Sequence, residues 1–250
     1  MDKLTKVGIL ATIILTLSAG ITGIFEFLFA YHIEILIFQL NSSILMIGMS
    51  LGMISTFFEE RRKIWVHTSV LSIILGECVI AVIWGYNSPI QVVGPGILPL
   101  NFEFLFMDFI DLLFSNSLGS FVAILASPTI IVPYVLLSIC TAKISFIIGV
   151  VSFHGFKGVI LMLGWLHIYP EVYAIFSACL AGINVALKSF ESFLQIRKKG
   201  FKSSLREIKN ALTYELRNTM PKVIILLVIA ALLETLWTPF WINYWLNHIL

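Results

Sequence analysis

Apolar runs of about 20 residues recur along this chain, and a run of that length crosses the ~30 Å hydrocarbon core of a bilayer as a helix. Lipid offers backbone groups no partners, so such runs must be helices that satisfy themselves. The chain has 250 residues, 59% hydrophobic and 12% charged, with a mean hydropathy of +0.98, which excludes a soluble domain. The sequence predicts an all-α polytopic membrane protein, one transmembrane domain over residues 1–250 with about seven spans.

The first three spans fall at 7–31, 35–58 and 64–86, making an N-terminal unit at 7–86. Residues 87–117 form an extracytoplasmic loop and an interfacial helix. The loop carries Pro89, Pro95 and Pro99, which rule out a regular helix before residue 100. Residues 101–115 place Asp108, Asp111 and Ser115 along one edge, and read as an interfacial segment too short and acidic to span.

A four-span core fills 118–250. Its spans are 118–140, kinked at Pro128 and Pro133, then 142–166, 166–188 and 222–245. Between the last two lies a basic amphipathic helix at 197–219, with Leu205, Ile208, Leu212 and Leu216 at helical spacing. Ser204 and Glu207 fit a capping box at its start. Trp237, Trp241, Tyr244 and Trp245 suit a membrane interface. Cys78, Cys140 and Cys179 lie within apolar spans without CxxC spacing, so neither a zinc knuckle nor a disulfide is expected. The N-terminal apolar run reads as an uncleaved first span.

Orientation follows from the positive charges. Lysine and arginine gather at 3–6, 61–63, 143 and 188–222 and are missing from 64–142. Seven spans with a cytoplasmic N-terminus put every cluster inside the cell and the C-terminus outside. Lys143 and Lys188 then read as snorkelling anchors at the inner boundary.

Counting helical rise from the inner boundary places the remaining ionisable residues in the outer half of the membrane. They are Glu26, Glu77, His154, Lys157, His167, Glu171 and Glu234. A charge at mid-bilayer costs on the order of 3 kcal/mol, so these groups should face one another or a wet cavity. The plain reading of each is structural. Glu26 can snorkel outward, Lys157 can bridge to a glutamate, and Glu234 can make a helix–helix hydrogen bond. With acids outnumbering bases, a proton, an alkali ion or a divalent metal could also balance the layer. A metal, if one is held, would use His167, Glu171 and Glu234. The latter two come from different spans, whereas His167 and Glu171 share one face four residues apart.

Residues 166–188 also carry a family resemblance. His167, Glu171, Ala174, Ile175, Ala178, Ala181 and Gly182 resemble the signature helix of the stage II sporulation protein M family, in which His-Gly precedes Glu and an Ala/Gly-rich helix. Ile168 stands where the family has Gly, and Leu166 where it has Pro. Residues 230–239, Ala-Ala-Leu-Leu-Glu-Thr-Leu-Trp-Thr-Pro, resemble the family's last helix. The resemblance covers roughly Asn116 to the C-terminus. It implies a non-enzymatic membrane component that assembles with partner proteins in an envelope process. In spore-forming bacteria it implies a part in a peptidoglycan-remodelling complex during engulfment.

No P-loop, HExxH or GxSxG motif occurs, which disfavours ATP-driven pumps and the common hydrolases. No catalytic residue and no cofactor is expected, and no nucleic-acid motif accompanies the basic helix. The expected partners are the lipid bilayer and other proteins. The small-residue face of 166–188 would also suit a homo-oligomer. The competing reading is a channel or secondary transporter using the buried Glu/His layer for ions or protons.

Overall fold

The computed structural model describes residues 102–129, 131–153, 163–241 and 244, with scattered positions between 47 and 71. The described residues are helical or turn, with no strand among them. The elements are α1 (Phe102–Leu125), a 3-10 turn (Ser127–Thr129), α2 (Ile131–Phe153), α3 (Ile168–Leu194), the short α4 (Ile196–Lys199) and α5 (Phe201–Leu232). A π turn at Leu233–Trp237 continues α5. Among the described residues, three stretches are long and apolar enough to cross a membrane, Phe106–Leu125, Ile168–Leu194 and Phe201–Trp241. The N-terminal three spans, and with them Glu26 and Glu77, lie outside the described helices.

The interior is built around α3. Its small face, Ala174, Ala178, Ala181 and Gly182, is buried along with Cys179, Ile183, Val185, Ala186 and Leu187. Small side chains let neighbouring backbones approach closely, the principal source of helix association where no hydrophobic effect operates. Gly182 marks the tightest point. A Cβ there would land on the Ala123 carbonyl oxygen of α1 and 2.9 Å from Cβ of Pro133 in α2. This face is therefore filled from within the chain.

α5 packs along α3 in the opposite direction, because His167 meets Thr238 at one end while Ser192 meets Glu207 at the other. α1 runs the same way as α3, with Asn116 bonded to Glu171 and Ala123 against Gly182. Leu227, Val223 and Met220 of α5, Ile124 of α1, and Tyr134 and Leu137 of α2 complete the buried core. Outward faces stay apolar, as in Phe106, Ile110, Phe114 and Phe121 of α1 and Ile225, Ile229, Leu232 and Leu236 of the α5 stretch. That pattern suits contact with lipid.

Three expectations change. Residues 101–115 are not a separate interfacial segment, because the helix runs unbroken from Phe102 to Leu125. Two aspartates do not end the helix, because packing of Leu113, Ala123 and Ile124 into the core outweighs the weak propensity of the Ser-, Asn- and Gly-containing stretch between them. The span expected at 118–140 is instead two helices with a break at 126–129. Pro128 sits in the break, where its missing N–H leaves a carbonyl free, and Pro133 lies in the first turn of α2, where it breaks no helical bond. Ser127 Oγ caps the Ile124 carbonyl, and Thr129 Oγ1 donates to Ala126 O at 2.6 Å, so the freed carbonyls find partners. Consequently residue 143 falls roughly 18 Å along α2, not at a boundary between spans.

The third change concerns the basic segment. Residues 201–241 form one stretch of 41 residues, roughly 60 Å long, about twice the hydrocarbon core. Only half of it can sit in lipid, and the charges leave the Phe201–Thr219 half outside. That half is continuous with the apolar half through Pro221 and stacks along α3, so it is not a separate helix laid on the membrane face. Helix α5 begins at Phe201, behind Gly200 at φ 83°, a left-handed position that glycine takes without penalty. Ser204 therefore lies inside the first turn, and its Oγ has no hydrogen-bond partner among the described residues. The expected capping box is absent because Glu207 is engaged elsewhere. It accepts from Lys199 Nζ at 2.9 Å and Ser192 Oγ at 3.0 Å, fastening α4 and the end of α3 to α5.

Those two hydrogen bonds hold the Glu207 carboxylate below its ordinary value of 4.5. A carboxylate depressed in the folded state stabilises above its unfolded value, and the contribution fades as pH falls through the lower folded value. Hydrogen exchange should therefore show protection of the 196–207 amides, corrected for intrinsic rates, falling as pH drops below the ordinary value of 4.5. Glu207→Gln should start less protected and lose little more on acidification. Equal pH dependence in both proteins would remove this role for Glu207.

Candidate functional site

At the end of the bundle opposite α4, three ionisable side chains come together. His167 is the residue before α3, and Glu171 lies one turn later on the same face. Pro170 between them occupies the first turn, where its missing N–H breaks no helical bond. The chain enters α3 through a turn at Trp165–His167, with Ile168 N–H donating to Trp165 O at 3.1 Å. An acid in the first turn also favours the helix dipole.

Glu234 arrives from α5 on the π turn. The Thr238 N–H bonds to Leu233 O, five residues back instead of four. The next residue, Pro239, cannot donate, and its ring crowds the carbonyl four residues earlier. A widened turn just ahead of it accommodates that crowding. It also rotates Glu234 relative to the regular α5 register, and π turns of this kind gather at functional positions.

One ligand atom each from His167, Glu171 and Glu234 lies within 4.8 Å of the others. His167 Nε2 is 4.0 Å from Glu234 Oε1, while the imidazole is buried and Glu234 is about a third exposed. Asn116 Nδ2 donates to Glu171 Oε1 at 3.1 Å, tying α1 into the cluster. Asp108 of the same helix lies within electrostatic reach of Glu234, as does Glu171.

Thr238 orients the histidine. Its Oγ1 is 3.2 Å from His167 Nδ1 and donates to Gly164 O at 2.8 Å. Trp237 Nε1 donates to Leu163 O at 3.0 Å and its ring stacks on Trp241 at 5.3 Å. The segment entering α3 is thus fastened to the end of the α5 stretch at two carbonyls.

Of the residues singled out from the sequence, His167, Glu171 and Glu234 converge. His154, Lys157 and Glu77 lie outside the described residues. Asn116, Thr238 and the π turn escape a reading of the sequence. Asn116 and Thr238 are uncharged, and only the Thr-Pro pair at 238–239, a helix-breaking proline inside an apolar run, hints at an irregular turn.

The fold and cluster define an all-helical integral membrane protein with a His/Glu group between its helices. More particularly, the chain belongs to the Stage II sporulation protein M family, whose model matches residues 79–239. No curated protein and no solved structure matches it.

Proposed function

We propose that this protein is a non-enzymatic membrane subunit that holds partner proteins in an envelope process, with its basic end in the cytoplasm and its C-terminus outside. Family membership supports the setting. The observation that carries the reading is the extension of α3, α4 and α5 beyond the length a bilayer can cover. Nine of the 16 lysines and arginines lie between 188 and 222, so this extension is the basic part of the chain. Positive charge of that density favours the cytoplasmic side. Its outer surface also exposes Phe201, Leu205 and Tyr214 beside Lys202 and Arg206. Large apolar side chains set among cations, on a helix that stands clear of lipid, suit a protein contact.

Photocrosslinker placed at Leu205 or Tyr214 in living cells should trap one recurring protein partner, while the same group at Ile225 should trap lipid. Reversing Arg206 and Lys209 to glutamate should reduce the Leu205 adduct at least tenfold. Lipid or nothing at both sites, with co-purification in gentle detergent yielding this chain alone, would overturn the reading.

A further inference from the structure

We propose that His167, Glu171 and Glu234 form a binding site for a divalent transition metal of the zinc class, with one coordination position left for water. Three observations converge on this, and none depends on the partner-binding reading.

The first is the donor set. A neutral imidazole and two carboxylates carry a formal charge of −2 and supply the nitrogen and oxygen ligands that Zn2+ and its neighbours accept. Tetrahedral bonds of about 2.0–2.1 Å would place the donors about 3.4 Å apart. The cluster spans 4.8 Å at most and 4.0 Å between His167 Nε2 and Glu234 Oε1, so side-chain rotations suffice to close it.

The second is the tautomer of His167. Thr238 has one hydroxyl proton, and Gly164 O at 2.8 Å takes it in preference to Leu233 O at 3.5 Å. Toward His167 the hydroxyl can then only accept, so Nδ1 carries the hydrogen and Nε2 presents a lone pair. That lone pair belongs to a residue only 8% exposed and faces a carboxylate oxygen at 4.0 Å, too far for a hydrogen bond. Two electron-rich atoms turned toward each other inside a bundle are complementary to a cation between them. A histidine that ligates by one nitrogen while its other N–H is fixed by an oxygen is the usual arrangement at metal centres.

The third is the outer support. Asn116 holds Glu171 from α1, and the π turn presents Glu234 from α5. Each ligand is positioned by a different contact, and the metal would tie the start of α3 to the end of the α5 stretch. Three protein donors leave a fourth tetrahedral position, which water or an exchangeable ligand takes in open zinc sites.

The test uses the full chain in detergent, stripped with a chelator and titrated with Zn2+ against a chromophoric competitor. One Zn2+ per chain is expected, with affinity reduced at least 100-fold in His167→Gln and Glu234→Gln and about 10-fold in Asn116→Ala. Glu191→Gln, at the other end of α3, should bind as the parent does. Because the first two variants could misfold, X-ray absorption of the Zn2+-loaded parent protein gives an independent reading. It should show nitrogen and oxygen neighbours with the outer-shell scattering of one imidazole. Absence of stoichiometric Zn2+, binding unaltered by the His167 and Glu234 substitutions, or sulfur in the coordination shell would each overturn the proposal.

Discussion

Gly182→Leu should leave the chain unable to seat α1 and α2 on α3, and Gly182→Ala should destabilise the bundle by about 1–3 kcal/mol. The reason is local and steric. The new Cβ would meet a backbone oxygen, that of Ala123, together with the Pro133 ring. Neither can swing aside as a flexible side chain would. Ala123 belongs to a continuous helix, and Pro133 is fully buried in the first turn of α2. Relief therefore requires moving a whole helix, which would also separate Ile124, Tyr134 and Leu137 from Ile183 and Leu187. Gly119 provides the contrast. It sits within α1 with nothing within 4 Å of the place a methyl group would take, so Gly119→Ala should stabilise by roughly 0.5–1 kcal/mol through helix propensity alone. Denaturant unfolding in mixed micelles, followed by helical circular dichroism, would measure both. A Gly182→Ala protein as stable as the parent would show that α1 and α3 do not meet at this point.

The same helix shows how much the residues alone reveal. The close-packing face of α3 is legible because small residues at helical spacing in an apolar run have few other uses. The meeting of His167, Glu171 and Glu234 is legible in outline, since burying ionisable groups in separate spans demands that they face each other. Helix boundaries between 101 and 143 are not. Composition there says apolar with three acids and two prolines, and it does not say whether Asp111 ends a helix or Pro128 bends one. Those outcomes depend on whether Ser127 and Thr129 can satisfy the freed carbonyls, which is a matter of three-dimensional placement. The basic segment is ambiguous for a related reason. Its amphipathic spacing fits a lipid surface and a second helix equally well. The burial of Ile208, the packing of Leu212 and Leu216 against the core and the Glu207 contacts to Ser192 and Lys199 show that the bundle takes most of that face and leaves Leu205 outside. The orienting residues Asn116 and Thr238 carry no charge and so give no signal of burial cost.

Thr238→Val should produce the largest effect of any uncharged substitution at the cluster. Valine matches threonine in shape, so packing is kept while the hydroxyl is lost. Two polar groups then lose their partner at once, the Gly164 carbonyl and the Nδ1–H of His167. Leaving a buried donor or acceptor unsatisfied costs about 1–3 kcal/mol, so unfolding should come markedly earlier. The more informative consequence is the proton on the imidazole. With no acceptor at Nδ1, the tautomer bearing hydrogen on Nε2 gains, because Glu234 Oε1 lies on that side at 4.0 Å and can close to accept it. The nitrogen shifts of labelled His167 should therefore exchange their order between the two ring positions. A nitrogen that carries hydrogen cannot ligate, so Zn2+ affinity should fall about 10- to 100-fold. Thr238→Ser separates chemistry from shape. It restores the hydroxyl without the methyl, and should recover the parent tautomer and most of the affinity while remaining slightly less stable. If valine leaves the His167 nitrogen shifts unchanged, or serine fails to restore them, Thr238 does not set the tautomer, and the lone pair at Nε2 needs another cause.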